Sequence, residues 1–253
     1  FMRTLYEKNE LAFALVWIGI YVVLLSAAEN LPDALAKNAA GAALCAAMTA
    51  YLFLWLGKNG LRERFGLCRP ALGAARYLWY LPLAVIASVN LWCGVTQKFP
   101  AGITALYAFR MLCVGFLEEL IFRGFLYKAL CRDGERKAAI ISALTFGIGH
   151  IVNLLNGAEL VPTLLQIAYA VAVGLLFVVL FCRSGSLAPC ILTHGVLNAL
   201  SVFSMEPDYR TQCIISLVLI ALAVSYSVYL LRRVPALTSG ESCARMEKNT
   251  EEG

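Results

Sequence analysis

Long apolar runs separated by short polar segments dominate the chain. A transmembrane helix needs about 20 mostly apolar residues, and eight runs approach or reach that length, at roughly 11–28, 39–57, 77–96, 104–127, 138–156, 160–182, 186–204 and 212–231. The apolar residues are continuous rather than alternating, and only helices or closed barrels satisfy their backbone in lipid. The pattern therefore predicts an all-α, polytopic membrane protein with about eight transmembrane helices.

The composition supports this class. Of the 253 residues, 60% are hydrophobic and 15% are charged, and the mean hydropathy is +0.74. A soluble domain is usually about 45–50% apolar and about 25% charged. The net charge of +5 is small and no basic run is interleaved with aromatic residues, which argues against a nucleic-acid partner. The nine cysteines include no CxxC spacing and are expected to be free thiols.

Positive charges are distributed unequally between alternate loops. Cytoplasmic loops of membrane proteins carry an excess of Lys and Arg. If the N-terminus is cytosolic, the outer loops hold only Lys37, Lys98 and Arg210, and nearly all other cations fall in the inner segments. The sequence therefore predicts an even number of crossings with both the N and C termini in the cytosol. The short chain and short loops are more typical of bacterial than of eukaryotic membrane proteins. We therefore expect the protein in a bacterial cell membrane.

The chain shows no internal repeat of fixed period, so we predict a single transmembrane helical domain over residues 1–233. The last stretch, TSGESCARMEKNTEEG, is polar. Segments of such low hydrophobicity bury too little apolar surface to fold and are typically disordered. The sequence therefore predicts a polar, disordered tail over residues 234–253.

Several charged and polar side chains interrupt the apolar runs. Such groups are unfavourable in the hydrocarbon region and usually serve a function. At about 1.5 Å of rise per residue, Glu118 lies about 15 Å from the inner loops, His150 about 20 Å and His194 about 16 Å. The hydrocarbon core is about 30 Å thick, so these side chains from three spans reach a similar depth and can form one cluster.

Local spacing indicates how these side chains are arranged. Glu118 and Glu119 are successive, so they point about 100° apart on a helix. One of them can face a cavity while the other pairs with Arg123, one turn further along. His194 and Asn198 lie on one helix face, also one turn apart.

Three further positions carry structural expectations. Arg110 lies near the outer edge of its span and is expected to extend its charged end to the membrane interface. The glycines of FGIGH, Gly147 and Gly149, are expected either to let another backbone approach closely or to leave room beside the histidine.

Three short motifs follow one another in the second half of the chain. EELIFRG resembles the EExxxR motif of the intramembrane CAAX-protease and bacteriocin-processing family, which includes the Abi proteins and the type II CAAX prenyl endopeptidases. FGIGH is similar to the FxxxH motif of that family, and HGVLN to its HxxxN motif. The resemblance implies a membrane-embedded endopeptidase with its catalytic core over about 104–204. The site residues that it implies are Glu118, Glu119, Arg123, His150, His194 and Asn198.

The favoured mechanism uses a glutamate and requires no cofactor. Glu118 is expected to act as the general base on a water molecule, while His150 holds the water or relays the proton to the leaving amine. His194 and Asn198 would donate hydrogen bonds to the oxyanion. A zinc-dependent version stays open, because His150, His194 and Glu118 form a plausible set of ligands for Zn²⁺. The chain has no HExxH signature, however.

Two other classes of function use similar residues. A proton-coupled transporter also carries carboxylates within its spans, but the sequence shows no inverted repeat. A peptide-binding immunity protein could use the same charges without catalysis. We expect a protease whose partners are the lipid bilayer and a membrane-associated or secreted peptide substrate.

Overall fold

The computed structural model describes residues 2–235 and residue 237, and these residues form an all-helical structure, as the apolar runs predicted. The predicted tail lies almost entirely outside the described residues. A π-helical segment, Glu119–Leu126, joins α5 to α6. The helices are α1 Met2–Lys8, α2 Glu10–Glu29, α3 Ala34–Lys58, α4 Leu81–Ala87, α5 Ala101–Glu118, α6 Tyr127–Leu130, α7 Glu135–Gly149, α8 Val152–Leu155, α9 Leu160–Ser184, α10 Ala188–Leu200 and α11 Tyr209–Arg233.

Five helical segments of the described residues are long and apolar enough to cross a membrane. They are α2, α3, α7 together with α8, α9 and α11, and they correspond to five of the eight predicted spans. The predicted span 104–127 is helical throughout but carries four charged residues. The predicted span 186–204 contains the shorter helix α10. The chain is an integral membrane protein with several membrane-spanning helices.

Side-chain caps determine where three of the long helices begin. Asn9, Asp33 and Asp208 each accept a hydrogen bond from the backbone N–H three residues further on, at 2.9, 2.8 and 2.7 Å respectively. These bonds satisfy donors that the first helical turn leaves free. The bond from the backbone N–H of Thr211 also holds the pKa of Asp208 below its usual value.

The prediction of a continuous helix over 77–96 is wrong. The segment consists of a 3₁₀ stretch, Ala74–Tyr80, the short helix α4 and a 3₁₀ turn, Val89–Leu91. Residues 78–80 have positive φ angles of 50, 55 and 58°, which interrupt the right-handed run. Pro82 lies in the first turn of α4, where its missing N–H removes no helical bond.

This broken segment nevertheless connects opposite ends of the molecule. Arg64 forms an ion pair with Glu10 at the start of α2, with 2.6 Å between nitrogen and oxygen. Phe99 lines a cavity together with Glu29, at the other end of α2. The 20 residues of α2 rise about 30 Å, which is the thickness of the hydrocarbon core. The chain therefore covers that thickness between residues 64 and 99 without one regular helix.

Two apolar clusters hold the helices together by close packing, the main source of helix association in lipid. The first joins α1, α2, α3, α5 and the π-helical segment, and Phe13 and Leu117 are fully buried within it. The second joins α4, α9, α10 and α11 through residues such as Ile86 and Leu219. Helix α10 packs on α5, and α7 packs on α9. The two clusters therefore meet where the charged and polar side chains of the apolar runs lie.

The expectation that Arg110 extends to the interface is wrong. Its side chain is only 5% exposed and forms an ion pair with Glu29. The pair lies in the wall of a cavity of about 290 Å³, which Lys37 and Tyr107 also line. Because a paired and buried charge is far less unfavourable than an isolated one, the guanidinium group can stay inside the protein.

Candidate active site

The acidic pair lies where α5 changes to π-helical geometry. Glu118 is the last residue of α5, and Glu119 is the first residue of the π-helical segment. Each hydrogen bond of a π-helix encloses one more residue than in an α-helix, and such distortions occur mostly at functional sites. Glu119 and Arg123 are both fully buried in this segment, so the distortion coincides with two charged groups in the protein interior.

Helices α5 and α10 touch almost backbone to backbone beside the acidic pair. A Cβ atom on Gly115 would lie 2.5 Å from the backbone nitrogen of Gly195, so a larger residue does not fit there. Gly115 precedes Glu118 by about one turn, and Gly195 directly follows His194. The contact between the two glycines therefore carries His194 to the acidic pair.

The imidazole of His194 lies between the two glutamates. Its Nδ1 is 2.7 Å from Oε1 of Glu119, and its Nε2 is 3.4 Å from Oε2 of Glu118. A carboxylate can only accept hydrogen bonds, so Nδ1 carries a hydrogen and donates it to Glu119. The two glutamates differ in access to water, because the Glu118 side chain is 15% exposed and the Glu119 side chain is fully buried.

Arg123 pairs with Glu119 and is enclosed by aromatic rings. Its Nη1 lies 3.2 Å from Oε1 of Glu119, one turn away, as the spacing predicted. The guanidinium carbon is 4.0 Å from the ring centroid of Phe146 and 5.7 Å from that of Phe177. Cation–π attraction and the ion pair together stabilise this buried charge. We call Glu118, Glu119, Arg123 and His194 the acid cluster.

His194 also lines a small cavity. It has a volume of about 50 Å³, and its polar lining includes His150, Gln166 and Asn198 beside mostly apolar residues of α7, α9, α10 and α11. One water needs about 10–15 Å³ of such space and two to four polar partners, so the cavity can hold a few water molecules. We call it the histidine cavity.

His150 has one free ring nitrogen. Its Nδ1 is 3.1 Å from the backbone oxygen of Phe146, and because a carbonyl only accepts, Nδ1 donates this bond. In the neutral ring, Nε2 is then a hydrogen-bond acceptor. The rings of His150 and His194 both meet the Phe146 ring edge to face, at centroid distances of 5.1 and 5.6 Å. One phenyl ring thus holds both imidazoles beside the cavity.

Residues 100–200 match the family model described as Type II CAAX prenyl endopeptidase Rce1-like. We call this matched segment the Rce1-like domain, after the model that it resembles. It contains the whole acid cluster and the polar residues of the histidine cavity. No curated protein and no solved structure matches the chain.

The Rce1-like domain arranges its predicted site residues in two groups that share His194. The acid cluster is joined by hydrogen bonds and ion pairs, whereas His150 and Asn198 reach His194 across the histidine cavity. Glu119 is directed toward Arg123 and His194 and away from solvent. Glu118 is therefore the carboxylate that is left for water or substrate.

One contact of the Rce1-like domain comes from a residue that the sequence analysis missed. The hydroxyl of Tyr21, in α2, donates a hydrogen bond of 2.5 Å to Oε1 of Glu118. Tyr21 lies outside the matched segment and belongs to no motif. A tyrosine inside an apolar span is also common in packed helices, so the sequence carried no signal for it.

The Rce1-like domain does not present His150, His194 and Glu118 as a ready set of zinc ligands. Among the described residues, no three His, Cys, Asp or Glu side chains come together so that they could hold a metal ion. Both ring nitrogens of His194 already face glutamates, at 2.7 and 3.4 Å.

Proposed function

We propose that the protein is an intramembrane endopeptidase that hydrolyses a peptide bond with a water molecule activated by Glu118. The observation that carries the proposal is the position of one partly exposed carboxylate beside His194, next to a cavity lined by His150 and Asn198. Peptide hydrolysis needs a base for the water and donors for the oxyanion, and this arrangement supplies both. The match to an endopeptidase family supports the same reaction.

Glu118 takes a proton from the water, and the resulting hydroxide attacks the carbonyl carbon of the substrate. The carbon–oxygen bond forms as the carbonyl π electrons move to oxygen, which gives a tetrahedral oxyanion. The intermediate then expels the amine, which receives the proton from Glu118, directly or through Nε2 of His150. Protons balance over the cycle, because the base ends as it began.

The side-chain amide of Asn198 is the proposed donor to the oxyanion. His194 can add a second donor at Nε2 only when both ring nitrogens carry hydrogens, because Nδ1 is engaged by Glu119. With His194 protonated, the formal charges of the acid cluster sum to zero. The loss of one oxyanion donor typically lowers kcat by about 10²–10³-fold.

Glu119 and Arg123 have a positioning role in this proposal. They are fully buried and paired with each other, so neither touches the substrate. Glu119 fixes the ring of His194 through the bond to Nδ1, and Arg123 holds Glu119. Their contribution to the reaction therefore passes through His194.

The proposed substrate is a membrane-associated or secreted peptide, in keeping with a site inside a bundle of membrane helices. A prenylated C-terminal peptide, as in the name of the matched family, and a bacteriocin-type precursor both belong to this class. We propose a bacterial cell membrane as the location.

The central test is the substitution Glu118→Gln, which keeps the size of the side chain and removes the base. We expect purified wild-type protein in detergent to cleave members of a peptide library and Glu118→Gln to show no turnover. Glu7→Gln is the matched control, because it removes an exposed carboxylate far from the site. Retained turnover in Glu118→Gln would refute the assignment of the base.

Two further measurements distinguish the proposed mechanism from a transporter and from a zinc-dependent protease. Proton flux into liposomes without any cleavage would favour a transporter over a protease. Metal analysis of active protein tests the metal-free mechanism, which is wrong if stoichiometric zinc is present and leaves together with the activity.

A further inference from the structure

We propose that Tyr21 is a positioning residue that orients Glu118, so that helix α2 is part of the catalytic apparatus. This inference rests on the proposed function of Glu118 as the base. Tyr21 lies 97 positions before Glu118 and outside the Rce1-like domain, which spans residues 100–200.

The bond between Tyr21 and Glu118 is short and protected from water. The donor and acceptor oxygens are 2.5 Å apart, in the range of hydrogen bonds from a hydroxyl to a carboxylate. Tyr21 is only 8% exposed. In surroundings of low polarity such a bond is stronger than in water, so it fixes the rotation of the carboxylate.

The two oxygens of Glu118 therefore have different tasks. Oε1 accepts the hydrogen bond from Tyr21, while Oε2 faces Nε2 of His194 at 3.4 Å. A distance of 3.4 Å is at the long end for a hydrogen bond, so Oε2 is the oxygen that is more available to a water molecule. Tyr21 in this way determines which lone pairs of the base remain free.

A second polar contact fixes the position of α2 along α5. Glu29 forms an ion pair with the buried Arg110. Glu29 follows Tyr21 by eight residues, and Arg110 precedes Glu118 by eight, so the antiparallel helices are joined at two points about 12 Å apart. A slide of α2 by one residue, about 1.5 Å, would displace both pairs of partners in the same direction. The ion pair therefore holds the Tyr21 hydroxyl at the level of Glu118.

The alternative is that Tyr21 only satisfies a buried polar group. Tyr226 provides the matched comparison, because its buried hydroxyl donates a 2.8 Å bond to the backbone oxygen of Tyr77 in the other apolar cluster. A structural role predicts that Tyr21→Phe and Tyr226→Phe both lower stability and leave the catalytic constants unchanged. A positioning role predicts a selective loss of kcat in Tyr21→Phe.

The test compares the full-length wild type with Tyr21→Phe, Tyr226→Phe and Glu118→Gln. We expect Tyr21→Phe to lower kcat by roughly 10- to 100-fold with KM unchanged, since a hydrogen bond to a charged group is lost. Tyr226→Phe should retain the wild-type kcat. Equal kcat values for the two tyrosine variants, beside an inactive Glu118→Gln, would overturn the role of Tyr21 and leave the protease proposal intact.

A spectroscopic measurement tests the contact between Tyr21 and Glu118 without a substrate. Infrared difference spectra between wild type and Glu118→Gln identify the carboxylate stretching band of Glu118. We expect this band to shift in Tyr21→Phe and to stay in place in Tyr226→Phe. A band that is unchanged in Tyr21→Phe shows that the hydroxyl does not orient the carboxylate, whatever the protein catalyses.

Discussion

Arg123 and Glu119 show how single residues carry charge into the interior of this protein. Both side chains are fully buried, and their charged atoms are 3.2 Å apart. Removal of one member of such a pair leaves an uncompensated charge, which usually destabilises a protein more than the pair stabilises it. The stability of the acid cluster therefore depends on both partners together.

We predict that Arg123→Gln lowers the stability of the folded protein by about 3–5 kcal/mol, because Glu119 loses its partner in the interior. The double variant Glu119→Gln/Arg123→Gln should recover most of this loss, since it removes both charges. Thermal unfolding in detergent, analysed as a double-mutant cycle, measures the coupling.

Arg3→Gln is the control for this experiment. Arg3 also pairs with a glutamate one turn away, but the two side chains are 70% and 56% exposed, and such pairs contribute about 0–1 kcal/mol. If Arg123→Gln were as stable as Arg3→Gln, the buried pair would not have the role described here.

Helical spacing revealed only local residue contacts, whereas the similar depths of Glu118, His150 and His194 indicated that they can form one cluster. The pairing of Glu119 with Arg123 followed from their spacing of one helical turn. The contacts of Tyr21 with Glu118 and of Glu29 with Arg110 join residues 97 and 81 positions apart. The spacing of residues along one helix does not identify such pairs. For this reason Arg110 was wrongly expected at the interface and Tyr21 was missed.

The two glycines of α7 show what decides helix packing at the scale of elements. A Cβ atom on Gly147 would lie 2.3 Å from Cγ2 of Val171 and 3.0 Å from the backbone nitrogen of that residue, on α9. A Cβ atom on Gly149 would meet nothing within 4 Å. Gly147 therefore allows α7 to approach α9 closely, whereas Gly149 has no neighbouring helix to accommodate.

We predict that Gly147→Ala moves α7 away from α9 and lowers stability by about 1–3 kcal/mol, the usual effect of overpacking. His150 lies three residues further on, so activity should fall as well. Gly149→Ala should leave stability close to wild type or raise it slightly, because alanine favours helix. Thermal unfolding and the cleavage assay on both variants check this, and equal behaviour of the two would contradict the described packing.

A membrane-spanning helix could be predicted from the sequence where the length of the apolar run alone determines it. Five predicted spans correspond to helices of sufficient length. The segment 77–96 is also an apolar run, yet the positive φ angles of residues 78–80 interrupt it. Hydropathy measures preference for lipid and not backbone conformation, so the interruption left no mark in the apolar pattern.

At the scale of the whole molecule, the two ends of the bundle carry different groups. Arg64 and Arg132 both pair with Glu10 at the start of α2. Lys37 lies near Glu29, at the opposite end of α2. The unequal distribution of Lys and Arg among the loops predicts that the end that contains Glu10 faces the cytosol.

We predict that both the end of α3 and the end of α11 face the cytosol. A fluorescent reporter fused after residue 58 or after residue 235 should be active, whereas alkaline phosphatase should be active only after residue 32, in the turn between α2 and α3. Phosphatase activity after residue 235 would show that the chain crosses the membrane an odd number of times.

The π-helical geometry of Glu119–Leu126 has a consequence for how this region can vary. Deletion or insertion of one residue rotates everything beyond it by about 100° relative to α5, whereas a substitution leaves the direction of every other side chain unchanged. Arg123 would then leave the aromatic rings that enclose it. The segment should accordingly accept changes of amino acid at its apolar positions far more readily than any change of length.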